Sequence, residues 1–387
     1  MLKNKVETEF TKEENDYYKF LVFGFFSIIL LFSLLILFIP KKEISVTEKR
    51  TLEKFPKFEL EALSSGSYYN NLEKYFSDHF IFREFFIKFN NNKNYFLGKR
   101  KINSTYIGKF RKSLYEEFKP DYEENLIKKI EVINQVRKTY PWAEFYTVFV
   151  PTSTISRRDN LPYFADIYDE NKNFSVIRNY LREDIFLVDL FNDFFQKDSN
   201  LYYKTDHHWT SEGAYKAYLK LKEFYPFETK DVKYEKKLVA NDFRGSLYSK
   251  VIGIVNIYDE IHIYKPEEES PVLVNYVAEK KKTTSLYNIE NLKKDDKYTF
   301  FTDGNHPEIN IKTAVQNGKK LLVIKDSYAN SMLPFLINDF QEIKVLDLRY
   351  FTGSVKEILD TTEYKHVLIL YGISTLNGDN SILNLKD

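Results

Sequence analysis

The chain has 387 residues, 43% of them hydrophobic, enough to bury the core of one large domain or of one domain with an extension. Its 57 Lys and Arg nearly balance 56 Asp and Glu, so a net charge of +1 offers no global field for nucleic acid. It contains no cysteine, which excludes a disulfide framework, thiol catalysis and cysteine-based zinc sites.

Residues 1–19 are charged and are expected to form a cytoplasmic N-terminal tail. Residues 20–39 carry no charge, with Gly24, Ser27 and Ser33 as interruptions. At ~1.5 Å per residue this run spans roughly 30 Å, the thickness of a bilayer core. A cleaved signal usually has an apolar region of about 7–15 residues, so the run is read as an uncleaved transmembrane helix. Lys3, Lys5, Lys12 and Lys19 precede it, whereas Lys41, Lys42, Lys49, Arg50, Lys54 and Lys57 follow. The positive-inside count therefore does not put the N-terminus in the cytoplasm, but that rule weakens when a long domain is translocated.

Pro40 and Pro56 make residues 40–66 an extended connector, and residues 67–387 are expected to form the catalytic domain. Leu72, Tyr75, Phe76, His79, Phe80, Phe86 and Phe89 recur at three- and four-residue steps, predicting a helix over 68–97. Within it, Asp78 and Arg83 are expected to orient the helix rather than to catalyse.

From about residue 121 helices and strands alternate. Leu126, Ile130, Ile133 and Val136 mark an amphipathic helix, followed by a strand at 145–150. A helix over 171–182 precedes a strand at 185–188, and Thr210 or Ser211 caps a helix running to about Tyr225. Residues 228–316 interrupt the alternation as an irregular, β-leaning insertion, with Lys280 to Lys282 a solvated loop. Strands at 321–324, 343–348 and 367–371 then alternate with helices at 331–337 and 354–360. The expected fold is α/β, a parallel sheet flanked by helices on both faces.

Two segments carry chemistry. In Asp206-His207-His208-Trp209, a carboxylate two positions before an imidazole can fix its tautomer and leave the other ring nitrogen as a base. Asp206, His208 and Glu212 could instead be metal ligands, but no firm further ligand follows by spacing. In the second segment, an apolar strand runs into Asp326-Ser327 and a helix start. Free N–H groups there would stabilise an oxyanion beside Ser327. One segment lacks a nucleophile and the other a base; together they supply a Ser-His-Asp set.

Asp206-His207-His208-Trp209 resembles the signature of the DHHW family, related to the alginate O-acetyltransferases and their SGNH-hydrolase-like domains. Lys49-Arg50-Thr51-Leu52, Asp78-His79-Phe80 with Arg83, Val150-Pro151-Thr152 and Phe243-Arg244-Gly245-Ser246-Leu247 resemble further family elements. The acid and base precede the serine, as in the circularly permuted acetyltransferases. The resemblance implies Asp206 as acid, His208 as base and Ser327 as nucleophile, with His207 an alternative base. Oxyanion or substrate candidates are the Ser327 N–H, Gly245, Ser246, Asn330, Gly372, Asn377, His207 and Trp209.

The resemblance further implies a membrane-anchored, extracytoplasmic O-acetyltransferase, without cofactor, acting on a cell-surface polysaccharide. Acetyl-CoA is not expected outside the membrane, and no phosphate-cradling glycine-rich loop occurs in the sequence. The expected acetyl donor is therefore a membrane-bound O-acyltransferase partner. A carbohydrate esterase needs the same three residues, and a catalytically inactive polysaccharide-binding scaffold is the alternative from another class.

Overall fold

The computed structural model describes residues 11–38, 41–195 and 200–387. Residues 1–10 of the expected tail, and Ile39 and Pro40 at the end of the apolar run, lie outside the described residues. The chain forms two compact units, Met1–Asn90 and Asn91–Asp387.

The first unit begins with α1, Lys12–Phe38, which contains the described part of the uncharged run. The connector holds a two-residue strand pair, β1 (Ile44–Ser45) with β2 (Arg50–Thr51), and a short helix α2, Leu60–Ser64. The helix expected over 68–97 is two helices, α3 (Ser67–Asp78) and α4 (Arg83–Phe96). They part at Phe82, whose φ of 58° is left-handed and cannot continue a right-handed helix. Asp78 and Arg83 enter one ion-pair network. The Arg50 guanidinium clasps the Asp78 carboxylate at 2.5 and 2.9 Å, and Arg83 holds Glu48 at 3.0 and 3.1 Å. Hydrogen bonding to Arg50 outweighs burial and lowers Asp78 to about 2.

In the second unit, a small antiparallel sheet joins β3 (Lys101–Ile102), β4 (Thr105–Ile107) and β5 (Leu114–Glu116). Helix α5 (Glu123–Thr139) leads to β6 (Glu144–Val150), then α6 (Ser153–Ser156), α7 (Asn171–Tyr180), β7 (Phe186–Val188), α8 (Phe191–Phe195) and α9 (Ser211–Lys222). Thr210 caps α9 by accepting from the Gly213 N–H at 3.3 Å.

The expected irregular insertion is largely regular. β8 (Tyr234–Phe243) pairs with β9 (Asp259–Pro266) as a hairpin interrupted by α10, Ser246–Lys250. β10 (Val272–Tyr276), β11 (Lys281–Thr283) and β12 (Glu308–Thr313) join the main sheet antiparallel. The sheet continues with β13 (Lys320–Lys325), β14 (Glu342–Leu346) and β15 (His366–Gly372), in the order β11-β10-β12-β14-β13-β15-β6-β7. Its β14-β13-β15-β6-β7 part is parallel, as predicted. Lys281 and Lys282, read as loop, lie on edge strand β11, where lysine discourages further pairing.

Side chains alternate across a strand, so the parallel strands supply two cores. Leu321 and Val323 of β13 face one core with Trp209, Ala214 and Phe335; Leu322 and Ile324 face the other with Ile130, Ile133 and Ile177. Both faces are dry, which is why these strands read as unbroken apolar runs. After β13 come a 3-10 turn, Ser327–Ser331, and α11 (Leu333–Leu336), shorter than the helix predicted over 331–337. Helices α12 (Val355–Asp360) and α13 (Ile373–Gly378) complete the layer beside α5.

Candidate active site

Ser327 stands where β13 ends. Asp326, fully buried, accepts the Tyr328 N–H at 2.9 Å and, through its other oxygen, the Gly372 N–H at 2.8 Å. The serine turn is thereby tied to the adjacent strand β15. A Cβ on Gly372 would lie 2.4 Å from the Tyr328 ring, so any side chain there would displace that ring. Ser327 is half-buried, and its N–H has no hydrogen-bond partner among the described residues.

His208 reaches across from the 200–210 loop. Its Nε2 lies 2.7 Å from Ser327 Oγ and its Nδ1 2.5 Å from Asp206 Oδ1. Asp206 also accepts the His208 N–H at 2.9 Å and the Ser246 N–H at 2.6 Å. Burial opposes its ionisation, but the two neighbouring imidazoles and these donors prevail and hold the carboxyl well below its ordinary range. An ionised Asp206 makes His208 Nδ1 a donor, which leaves Nε2 an acceptor for the Ser327 proton. The arrangement can move a proton from hydroxyl to imidazole and hold the resulting cation.

His207 does not share this position. Its Nδ1 bonds Ser246 Oγ at 2.7 Å and lies 3.6 Å from Asp206, and the ring is partly exposed beside His208. Burial and the His208 charge lower its pKa, against Asp206 and Glu116. Asp206, His207 and His208 bring three ligand-type atoms within 4.8 Å. Yet His208 is committed on both nitrogens, and Glu212, the other ligand of the metal alternative, pairs with Lys236 at 2.6 Å.

Several residues singled out for an oxyanion or substrate role do other work. The Gly245 N–H donates to Thr205 Oγ1 at 2.9 Å and the Ser246 N–H to Asp206, so this loop holds the Asp206 carboxylate rather than facing an oxyanion. Trp209 is wholly buried; its indole N–H reaches Tyr328 O and Ser331 Oγ, both at 2.9 Å, and pins the serine turn from inside. Asn330 is buried against Lys325 and Asn305. Asn377 bonds Asn173 and the Ile373 carbonyl, away from Ser327. The Gly372 N–H is taken by Asp326. The Ser327 N–H alone of these candidate donors is left for a developing oxyanion.

Three supporting residues escape a sequence reading. The Tyr298 ring stacks on the His208 imidazole at 3.9 Å and 7°, and its hydroxyl donates to Ser327 O at 3.1 Å. The Tyr328 ring meets His208 edge-on, and its hydroxyl donates to His207 O at 2.7 Å. Asp259, buried in β9, accepts the Lys204 and Thr205 N–H groups and the Thr205 hydroxyl, at 2.6–2.7 Å. Tyr298 is one of 30 tyrosines and has no spacing relation to the motifs, whereas Tyr328 adjoins the serine, a signal that could have pointed to it. The Pro151 carbonyl after β6 accepts the Tyr202 hydroxyl, and Arg157 donates to Tyr203 O at 2.8 Å, so the strand-end motif anchors the histidine loop.

The sequence model of a family described as DHHW protein matches residues 48–143 and 115–346. A DHHW family protein from Eubacterium siraeum superposes with a TM-score of 0.61 at 22% identity, over 72% of this chain and 97% of its own. Bacillus cereus PatB1 carrying a sulfonyl adduct superposes with a TM-score of 0.60 at 24% identity, over 71% of this chain and 96% of its own. Looser, at a TM-score of 0.46 and 15% identity, is the O-acetyltransferase domain of Pseudomonas putida AlgJ, over 72% and 93% of the two chains. No curated protein matches the chain.

Proposed function

The chain belongs to the DHHW family, and from that premise we propose that it is a membrane-anchored, extracytoplasmic O-acetyltransferase that carries an acetyl group on Ser327 to hydroxyls of a cell-surface polysaccharide. The observation that carries this reading is the continuous chain Asp206–His208–Ser327, with contacts of 2.5 and 2.7 Å. The family's kinship with the alginate O-acetyltransferases supports transfer, and α1 supports the anchor.

The exchange runs in two halves. Ser327 Oγ attacks the acetyl carbonyl of the donor as its proton passes to His208 Nε2; the imidazolium returns that proton to the leaving group, and acetyl-Ser327 remains. A sugar hydroxyl then gives its proton to His208 and attacks the ester carbonyl, Ser327 Oγ leaves and takes the proton back, and the product is the acetylated sugar. The Ser327 N–H meets the oxyanion in both halves; one such donor is worth about 3–4 kcal/mol. Asp206 stays ionised throughout and holds His208 in the tautomer each step needs. A membrane-bound O-acyltransferase is the partner that brings the acetyl group across the bilayer.

The test offers the purified chain an activated acetyl ester with and without oligosaccharide. Acetylated oligosaccharide that vanishes in Ser327→Ala supports the transferase, and acetate alone, equal in both conditions, assigns an esterase. Neither product, with cell-surface acetylation untouched by Ser327→Ala, leaves a binding scaffold.

A further inference from the structure

The first unit exposes aromatic surface that a soluble domain would bury. Phe82, Phe85 and Phe89 are 65%, 62% and 61% exposed, and Phe86 lies beside them. These residues occupy one stripe of α4 and the turn before it. Phe82 holds a left-handed backbone, strain that a bulky side chain rarely accepts. The polar side of α4 is spent on ion pairs, Arg83 with Glu48 and Lys88 with Glu84 at 2.5 Å.

The stripe is continuous with α1. Phe32 of α1 stacks on Phe80 at 5.5 Å, Phe80 meets Phe86 at 5.8 Å, Phe86 meets Phe85 at 5.5 Å, and Phe85 stacks on Phe89 at 6.3 Å. Ile36, one turn beyond Phe32, is buried, so one side of the end of α1 is covered, whereas Phe38 at its last position is 81% exposed. Phe32 precedes the end of the uncharged run by seven residues, about 10 Å along a helix. That is the depth at which an interfacial helix places its apolar face, about 5–10 Å into the headgroup and acyl boundary.

We propose that the aromatic face of α4 lies in the interfacial layer of the bilayer that α1 crosses, with lipid as its occupant. This rests on the anchor reading and goes beyond it: the chain holds the membrane by a span and a second, parallel-lying contact. Phe80 and Phe86 bridge the two, because their rings link the span to the stripe.

The chain has no cysteine, so single-cysteine reporters are unambiguous. Full-length Phe25→Cys, Phe85→Cys and Phe89→Cys variants are labelled with one environment-sensitive dye and placed in phosphatidylcholine vesicles. Each is quenched in turn by lipid-borne nitroxide and by aqueous iodide, with the dye's glutathione conjugate as aqueous reference. The expected result is that positions 85 and 89, like 25, lose most of their emission to the nitroxide and almost none to iodide. Positions 85 and 89 quenched like the glutathione conjugate, with 25 shielded, overturn the proposal and leave the anchor standing. Position 25 quenched like the conjugate means the anchor itself has failed. Shielding at 85 and 89 that appears only in native membranes, or only at high protein-to-lipid ratio, assigns the face to a partner protein or a second copy and refutes lipid.

Discussion

Gly245→Ala tests how tightly the Asp206 carboxylate is held, because the atoms a side chain there would meet first are those of Asp206. A Cβ there would sit 2.2 Å from Asp206 Cβ and 2.3 Å from its Oδ2. Ordinary contact begins near 3.4 Å, so loop and carboxylate must part by more than 1 Å. That movement breaks the Ser246 N–H bond to Asp206, now 2.6 Å, and loosens the 2.9 Å bond from Gly245 to Thr205. Overpacking of this kind costs roughly 1–3 kcal/mol in stability. Displacing a catalytic group by about 1 Å costs on the order of 10²-fold in rate. The assay is the rate at which a sulfonyl fluoride modifies Ser327, followed by mass spectrometry, since it reports nucleophile activation without the natural substrate. Slowing of on the order of 10²-fold, in a variant whose circular dichroism is native, is expected. A rate within threefold of the parent would show that the Asp206 position is not what activates Ser327.

Four further outcomes are expected, three at the site and one at a buried carboxyl elsewhere in the second unit. Tyr298→Phe keeps the ring on His208 and loses the hydroxyl bond to Ser327 O, so labelling should stay near the parent rate while stability falls by about 1 kcal/mol in urea. Tyr298→Leu removes the stack and should slow labelling roughly tenfold and displace its pH profile; an unmoved profile assigns Tyr298 to packing alone. Burial, only partly offset by the Tyr218 hydroxyl and Lys222, raises Asp339 from 3.8 to about 7. The folded chain therefore keeps a proton that the unfolded chain has lost, so this group's contribution is full below about pH 4 and is lost as pH rises through 7. Three pH units at 1.36 kcal/mol each make roughly 4 kcal/mol, and Asp339→Asn should flatten the stability–pH curve between 4 and 7 and stabilise the chain at pH 8. Urea unfolding in detergent checks this, and a slope that persists in the variant refutes it. Asp206→Asn should slow labelling by about 10⁴, with His208 left in the wrong tautomer.

The parallel strands are legible in the sequence because a strand buried on both faces must be apolar throughout, as Leu321 to Ile324 and Val367 to Tyr371 are. The chemistry was legible in part for a different reason. An acid two residues before a histidine, and a serine directly after a strand, are local patterns whose geometry the backbone imposes. The division of the 68–97 helix was not, because nothing in the residue type announces that Phe82 takes a left-handed backbone.

Where each donor points was beyond reach of the sequence. Gly245, Ser246, Asn330, Gly372 and Asn377 are residue types that serve oxyanion holes, yet the N–H groups of Gly245, Ser246 and Gly372 and the amide of Asn330 go to partners distant in the chain, and the Asn377 amide donates to the Ile373 carbonyl one turn back. Tyr298 comes onto His208 from a segment read as an irregular insertion, whose strands join the sheet through pairings between remote residues. Residue type and spacing encode period, face and the local reach of a side chain. The direction of a hydrogen bond between segments some hundred residues apart depends on how both backbones pack, and only the assembled sheet sets that.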